Sequence, residues 1–458
     1  MQKTKLAADK KLYGLTSSQV VLLWAQFFSV EPKKVREVNI LGFYVYIKGG
    51  NPQAMEKAYN KLLETNDSLR LRFVKTGVFK FQQYIEDVAY RKLKTVQVAD
   101  KAGFDRYVSE KFTSPTTIVD TDMTYAECIS VGNEGCAIAF RIHHLALDGY
   151  SIALVHDRFV EYYHSYLKGE EPEAKSYSIT DYFSTEREYS QSDNMTQDHA
   201  YWQKAYTKQL HYSFPAGYRS ELGQCDFVMG SVQGALYQKL VQLAKSIGSS
   251  IPSISMALAA LCVYRLTGRD NFCIFSPVHG RYTLTARRTV GCMMNTFPTF
   301  FYIDGQKKIV DFLSDSQLNF LEALKHSRYP MSRQTPLSYT EAFKHLFNFN
   351  PAWLIFSSMN YGEAFAKSPY EAKMIPRHNM PHQFYNSFLE VPGERIDMML
   401  GYQTHKYSQK QAAYFMDAYI KLIDDALANP DALCGTLSSA DKRGLFVRRP
   451  VDANAYIK

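Results

Sequence analysis

Ten residues constrain this chain more than any others: Ile142-His143-His144-Leu145-Ala146-Leu147-Asp148-Gly149-Tyr150-Ser151. The residues ahead of them, 136–142, read as a strand, so two histidines leave its end together and an Asp-Gly turn follows. Side chains alternate across a strand, so one of two adjacent histidines can face a cleft while its neighbour packs inward. Imidazole suits proton transfer near neutral pH. Asp148 stands one helical turn from His144, the wrong separation to accept its proton comfortably. A structural salt bridge to a distant cation is therefore its better role, and Gly149 permits the sharp turn. Other chemistries fail on spacing. There is no HExxH and no third convergent ligand for zinc, no GxSxG elbow, no Walker A loop and no GxGxxG.

Around this string the chain alternates helical and strand periods without short repeats or low-complexity tracts. Met55, Ala58, Tyr59, Leu62 and Leu63 recur at helical spacing over 52–64. Leu69, Leu71 and Phe73 alternate with Arg70 and Arg72 as a half-buried strand. After Gly149, Ser151 is placed to cap a helix carrying Leu154, Val155, Phe159, Tyr162, Tyr163 and Tyr166, which ends near Gly169 before Pro172. The polar segment 185–199 is the best boundary. Beyond it the plan repeats: helices over 235–247 and 254–266, a strand over 271–277, then a Gly280-Arg281 turn. Each half thus delivers a polar cluster from a strand, at 143–149 and at 279–281, and the expectation is two similar α/β lobes.

The 458 residues suffice for two ordinary domains, and 46% apolar with 21% charged residues is a globular balance. The formal charge is +8, but residues 1–12 carry +3 and residues 441–450 another +3. The body is nearly neutral, which argues against nucleic acid as a partner. The seven cysteines are odd in number, form no CxxC pair, and six sit in apolar or small-residue contexts, as reduced core thiols do. No apolar segment follows the lysine-rich N-terminus to make a signal peptide. The longest apolar runs, 20–30 and 254–264, are interrupted by Gln26 and stopped by Arg265. Both fall short of the roughly 18–20 residues that a membrane span needs. The expectation is a soluble, cytoplasmic protein that does not use a membrane.

The string HHxxxDG at 143–149 resembles the core motif of nonribosomal peptide synthetase condensation domains, which belong to the chloramphenicol-acetyltransferase-like acyltransferase superfamily. Further segments are similar to that family's motifs, in its order. Leu15-Thr16-Ser17-Ser18-Gln19, followed by Trp24, is similar to "LSxAQ", with Val21 where an arginine is usual. Asn66-Asp67-Ser68-Leu69-Arg70-Leu71-Arg72-Phe73 resembles "HExLRTxF", with the leading histidine and glutamate replaced. Thr180-Asp181-Tyr182-Phe183 looks like "YxDYA", and Tyr201-Trp202 like the "YW" that opens the second lobe. Ser276-Pro277-Val278-His279-Gly280-Arg281 resembles "PxxGR". Val290-Gly291-Cys292-Met293-Met294-Asn295-Thr296-Phe297-Pro298 resembles "IGxFVNTxP", and His326-Ser327-Arg328-Tyr329-Pro330 is a degenerate "HQDYPFE". The resemblance spans about 13–440.

It implies an α/β (α+β) fold of two chloramphenicol-acetyltransferase-like lobes, 1–184 and 185–458, in a V-shaped pseudo-dimer with the active site in a tunnel between them. It also assigns roles: His144 facing the tunnel, His143 its structural neighbour, Asp148 paired with Arg281 of the second lobe, and Gly149 leaving room. Tyr150, Ser151 and Asn295 become tunnel candidates, against readings as packing, a helix cap and a turn hydrogen bond. The implied reaction joins an acyl or peptidyl thioester on a donor carrier protein to the amine of an aminoacyl thioester on an acceptor carrier. His144 takes or orients the amine proton. Both substrates ride on the phosphopantetheine arms of those partners, so no bound cofactor, ATP or metal is expected. An adjacent adenylation domain is a further expected partner, because no phosphate loop and no LGGxS carrier serine occur here. A monomer is expected. Two other readings stay open. One is a related acyltransferase acting on a free amine or alcohol from a carrier or coenzyme A thioester, although the plant-type DFGWG motif is absent. The other is a non-catalytic docking platform, although such relatives typically lose His144 or Asp148.

Overall fold

Apolar residues concentrated in a few strands and helices draw this chain into two compact units, each built on its own sheet. The computed structural model describes residues 10–28, 39–77, 80–114, 116–173, 175–207, 223–330, 354–358, 361–380 and 384–436. The basic segment 442–449 and Lys3 and Lys5 lie outside these residues. The first unit comprises Met1–Met195, His279–Met294 and Asn360–His378; the second comprises Thr196–Val278, Asn295–Met359 and Asn379–Lys458.

In the first unit a five-stranded sheet runs in the order Glu371–Ile375, Ile40–Lys48, Gly135–His143, Thr124–Val131, Lys94–Val98. All neighbours are antiparallel except the last pair. Gly135–His143 is nearly continuous in buried residues because both sheet faces are covered. On one face Phe43 stacks on Phe140 at 4.6 Å, and Phe159 of helix Gly149–Leu167 meets Phe140 edge-on at 5.7 Å. On the other face Phe104 and Val108 of helix Lys101–Lys111 pack with Tyr44, Ile129 and Ile375.

The second unit carries a seven-stranded sheet, ordered Asn379–Met380, Gly223–Gln233, Arg395–Gln403, Phe384–Val391, Leu354–Ser358, Asn271–Val278, Asn295–Tyr302. Helices Gly234–Ser246, Ile251–Thr267, Ile309–Lys325 and Gln409–Ala428 contribute to its core. Ile251–Thr267 is apolar on nearly every side and is accordingly buried along most of its length. Among the described residues, no single helix is long and apolar enough to cross a membrane.

The expected elements at 52–64, 136–142, 235–247, 254–266 and 271–277 correspond to Pro52–Thr65, Gly135–His143, Gly234–Ser246, Ile251–Thr267 and Asn271–Val278. Three details differ. Leu69 lies in a 3₁₀ turn, Asp67–Arg70, and the strand begins only at Leu71. The polar stretch 185–199 is largely helical, in Ile179–Ser190 and Asp193–Thr207, and the break between units falls inside it after Met195. Residues 279–294, assigned to the C-terminal lobe on sequence grounds, group with the first unit.

The physical reason for that last difference is a detour. Antiparallel pairing of Asn271–Val278 with Asn295–Tyr302 closes at Val278↔Asn295, so the intervening residues are free to leave the second sheet. They turn at Gly280, whose φ of +64° suits glycine. A Cβ there would lie 1.8 Å from the Met293 carbonyl oxygen. Gly280→Ala is therefore expected to disrupt the detour, with a loss of stability of at least about 1–3 kcal/mol from backbone strain alone. Urea denaturation checks it.

Candidate active site

The strand Gly135–His143 delivers the histidines. Ile40 is the register partner of His143. Beyond it the His143 amide donates to the Met123 carbonyl at 2.8 Å and the His144 amide to the Asn39 carbonyl at 2.6 Å. The backbone is therefore clamped from both sides as it leaves the sheet. His143 is buried, and its Nδ1 accepts from the Leu145 amide at 3.1 Å, which leaves the ring proton on Nε2. Burial, helped by the neighbouring His144, pushes its imidazolium down to about 3. His143 is thus a neutral bracket for the turn.

His144 is half-buried. Its Nδ1 is buried and makes no hydrogen bond of normal geometry. Burial lowers its pKa below the usual value. The Arg377 cation adds to that, while the backbone carbonyls of His144 and Leu147 and the Asp148 carboxylate oppose it. The net result is an imidazole held as free base at neutral pH, the form that accepts a proton.

Two segments hold the loop that follows. The Gln19 amide donates to the Leu145 carbonyl at 2.9 Å and pairs with the Gln83 amide at 2.8 Å, while its oxygen accepts from the Thr16 amide at 2.9 Å. The Ser68 hydroxyl donates to the Ala146 carbonyl. Leu145, Ala146 and Leu147 are fully buried. The motif-like segments 15–19 and 66–73 are thus the walls of the histidine loop. The sequence showed these motifs but gave Gln19 and Ser68 no role, and Arg377 carried no sequence signal at all. Arg377 follows strand Glu371–Ile375, an edge strand paired to Ile40–Lys48 with Ile375 opposite Gly42.

Asp148 and Arg281 form a bidentate pair, at 2.8 Å and 3.0 Å, and both are 1% exposed. Asp148 also accepts from the Ser151 amide at 3.0 Å and the Met293 amide at 2.9 Å. Arg281 donates further to the His279 carbonyl at 2.7 Å, the Ser151 hydroxyl at 2.6 Å and the Gly291 carbonyl at 3.0 Å. Burial alone would raise the Asp148 carboxyl, but the Arg281 charge and the four donors outweigh it and hold the group below the usual range. The family resemblance pairs these two residues across two lobes. Both lie in the first unit, because Arg281 travels on the 279–294 detour.

The remaining sequence candidates separate into two groups. Asp148, not Ser151, caps the helix, since its carboxylate reaches the Ser151 amide; Gly149 is the first helical residue. Ser151 instead exchanges two 3.0 Å hydrogen bonds with Gly291, its hydroxyl donating to the carbonyl and accepting from the amide. Tyr150 donates to the Arg287 carbonyl at 3.2 Å, and its ring lies 4.5 Å from the Arg281 guanidinium and 5.3 Å from the His279 ring. His279 accepts the Arg281 amide at Nδ1, 2.9 Å, and burial followed by the Arg281 charge lowers its pKa. Asn295 is not part of this cluster. It belongs to the second unit, where its amide donates to the Ser327 and Tyr329 carbonyls at 2.6 and 2.7 Å. Among the described residues no group of three or more His, Cys, Asp or Glu side chains converges as metal ligands. All seven cysteines are free, and six are buried.

Two consequences are measurable. Asp148→Ala strands the Arg281 charge and is expected to cost about 3–5 kcal/mol, whereas Asp148→Leu with Arg281→Met should cost much less; chemical denaturation of both variants compares them. His143 binds a proton in the unfolded chain near 6.5 but in the folded protein only near 3. Stability therefore falls as pH drops from about 6.5 toward 3, by on the order of 1 kcal/mol per pH unit from this group. Asp148 adds a loss only at the acid end, as pH falls below about 3.9, because its folded pKa is depressed. His143→Asn should flatten the slope between pH 6 and about 4.5.

Comparison with known proteins agrees with this architecture. Residues 25–445 match the family described as Condensation domain. Tyrocidine synthase 3 of Brevibacillus parabrevis is 23% identical over 89% of this chain and 6% of its own length. Surfactin synthase subunit 1 of Bacillus subtilis is 23% identical over 63% of this chain and 8% of its own. The chain thus spans less than a tenth of these curated relatives. The first condensation domain of the calcium-dependent antibiotic synthetase shares the fold, with a TM-score of 0.75 at 17% identity over 93% of this chain and 98% of that one. The condensation domain of the Monacolin K polyketide synthase gives 0.75 at 16% identity, over 93% and 99%. The chain belongs to the condensation-domain family.

Proposed function

We propose that His144 serves amide formation between two carrier-borne thioesters: an acyl or peptidyl donor and an aminoacyl acceptor. The observation that carries this reading is the state of His144, a neutral, half-buried imidazole on a backbone clamped at the strand exit. The acceptor nitrogen attacks the donor thioester carbonyl. The C–N bond forms, the C–S bond breaks, and the nitrogen's proton passes to His144 or is oriented by it. The proton ends on the departing phosphopantetheine thiolate. Thioester cleavage drives the reaction, so the domain needs no cofactor of its own. Holding both tethered substrates in line supplies up to about 7–11 kcal/mol, and a positioned base about 10²–10⁴-fold. The partners are donor and acceptor carrier proteins, with an adenylation domain to load them, and the domain acts as a monomer in the cytoplasm. Tyr150, Ser151 and Gly149 support the histidine loop, and Asn295 shapes the second unit.

Intact-mass spectrometry tests this. An amino-acid-loaded acceptor carrier is mixed with acyl- or peptidyl-loaded donor carriers, and the acceptor should gain the donor's acyl mass. His144→Ala should lower the rate by about 10²–10⁴-fold; undiminished turnover removes His144 from the mechanism. Transfer only to free amines or alcohols from coenzyme A thioesters would make the broader acyltransferase reading the correct one.

The pH dependence gives a second check. Because the His144 pKa is lowered, the acid limb of kcat/KM should lie below about 6.5. Arg377 is one cause of that lowering, so Arg377→Gln should move the limb to higher pH and Arg377→Lys should largely keep it in place.

A further inference from the structure

The 279–294 detour does more than carry Arg281 to Asp148. Its inner side is fixed by Gly280, Arg281, Gly291 and Met293, as described above, and its outer side is left to solvent. There Tyr282 is 47% and Leu284 is 78% exposed, beside Thr283, Thr285, Arg287 and Arg288, which are exposed as well. The detour contains three arginines and no aspartate or glutamate. Arg288 extends to the Tyr177 hydroxyl at 3.2 Å, and the Arg158 guanidinium lies 5.8 Å from the Tyr177 ring. The patch thus sets two exposed apolar side chains beside two exposed arginines, on a body whose net charge is otherwise close to neutral.

The patch is also tied to the histidine loop through short covalent and hydrogen-bonded steps. Tyr150 donates to the Arg287 carbonyl, and Arg158 donates to the Arg288 carbonyl at 2.5 Å. Both donors stand on helix Gly149–Leu167, which Asp148 caps. A partner seated on the detour therefore rests on a segment bonded to Asp148, Tyr150 and Arg158, at the end of the histidine loop and along the helix that follows it. An exposed leucine and tyrosine beside two exposed arginines complement an acidic protein surface with a small apolar centre, and charge complementarity of this kind steers encounter and sets register.

We infer that Tyr282, Leu284, Arg287 and Arg288 form a docking surface for the acidic helical face of a carrier protein, holding it so that its phosphopantetheine arm reaches His144. This rests on the condensation reading and names the contact by which one of its two carriers is held.

The test compares wild type with the double variant R287E/R288E and with L284S. Each is titrated with a holo-carrier protein bearing an octanoyl group and with one bearing an alanyl group, and turnover is measured. The same acyl groups are also offered as N-acetylcysteamine thioesters, which need no docking. Charge reversal should raise the apparent Kd for one carrier roughly tenfold and L284S should raise it severalfold, with turnover of the small thioesters unchanged. Wild-type affinity for that carrier should also fall as salt rises. Unchanged Kd for both carriers, with small-thioester turnover retained, overturns the docking surface and leaves condensation standing. Equal loss with carriers and small thioesters also overturns it, because the variants would then act on the site and not on docking. A wild type that neither binds carriers nor turns over either kind of thioester overturns the condensation reading and this inference together. If R287E/R288E does not fold, R287Q/R288Q with L284S decides the matter by the same comparison.

Discussion

The candidate site depends on two charges taken out of water together. Asp148 and Arg281 face each other with almost no exposure, and neither would be tolerated alone at that depth. Each is also surrounded by neutral partners: two backbone amides for the carboxylate, and two carbonyls and a hydroxyl for the guanidinium. Such a pair contributes less to net stability than its Coulomb energy suggests, because desolvation offsets much of it. What it fixes is geometry. Asp148 simultaneously caps helix Gly149–Leu167 and anchors residues 279–294, so the end of the histidine loop, the helix start and the detour share one carboxylate.

The chain follows the same plan twice in this unit. Residues 279–294 leave the second sheet and return to it, and residues 360–378 do likewise with a helix and an edge strand. The first detour supplies Arg281 to Asp148; the second supplies Arg377 to the electrostatics of His144. Both contributions come from positions more than 130 residues beyond the histidines. Long insertions of this kind are tolerated because loop-closure entropy grows slowly with length, while their buried contacts repay the ordering locally.

The parts of this arrangement readable in the sequence were those with local causes. Hydrophobic period set Pro52–Thr65 and Ile251–Thr267, and a short apolar run set Gly135–His143. The local pattern asked only for a distant cation opposite Asp148; the resemblance to condensation-domain motifs is what named Arg281 as that cation. Assignments that depended on tertiary competition were less legible. Ser151 is a reasonable cap by composition, but the carboxylate of Asp148 reaches the same amide and Ser151 is drawn to Gly291 and Arg281. Asn295 lies in a motif similar to the family's, yet its amide is committed to Ser327 and Tyr329. Gln19 and Ser68 are polar residues in unremarkable contexts; only the path of the Leu145 and Ala146 carbonyls shows why they are buried. Arg377 has no local signal, since its influence on His144 comes from strand register and long-range charge.

The hydrogen-bond arithmetic around Asp148 also constrains any mechanism built on His144. In a Ser–His–Asp arrangement the aspartate accepts from the histidine and stabilises its charged form. Here the carboxylate already receives two guanidinium and two amide hydrogens, which use its acceptor positions, and it sits four residues along the chain as a helix cap. It favours a proton on His144 only as a background charge, and burial and Arg377 act in the opposite direction. The surroundings of His144 thus disfavour its imidazolium form. A proton accepted from an attacking amine would be passed on within the reaction rather than stored, and a departing thiolate is the chemically suited recipient. The arrangement fits a base, or an orienting acceptor, that acts transiently beside a rigid ion pair, and it does not fit a charge-stabilised catalytic triad.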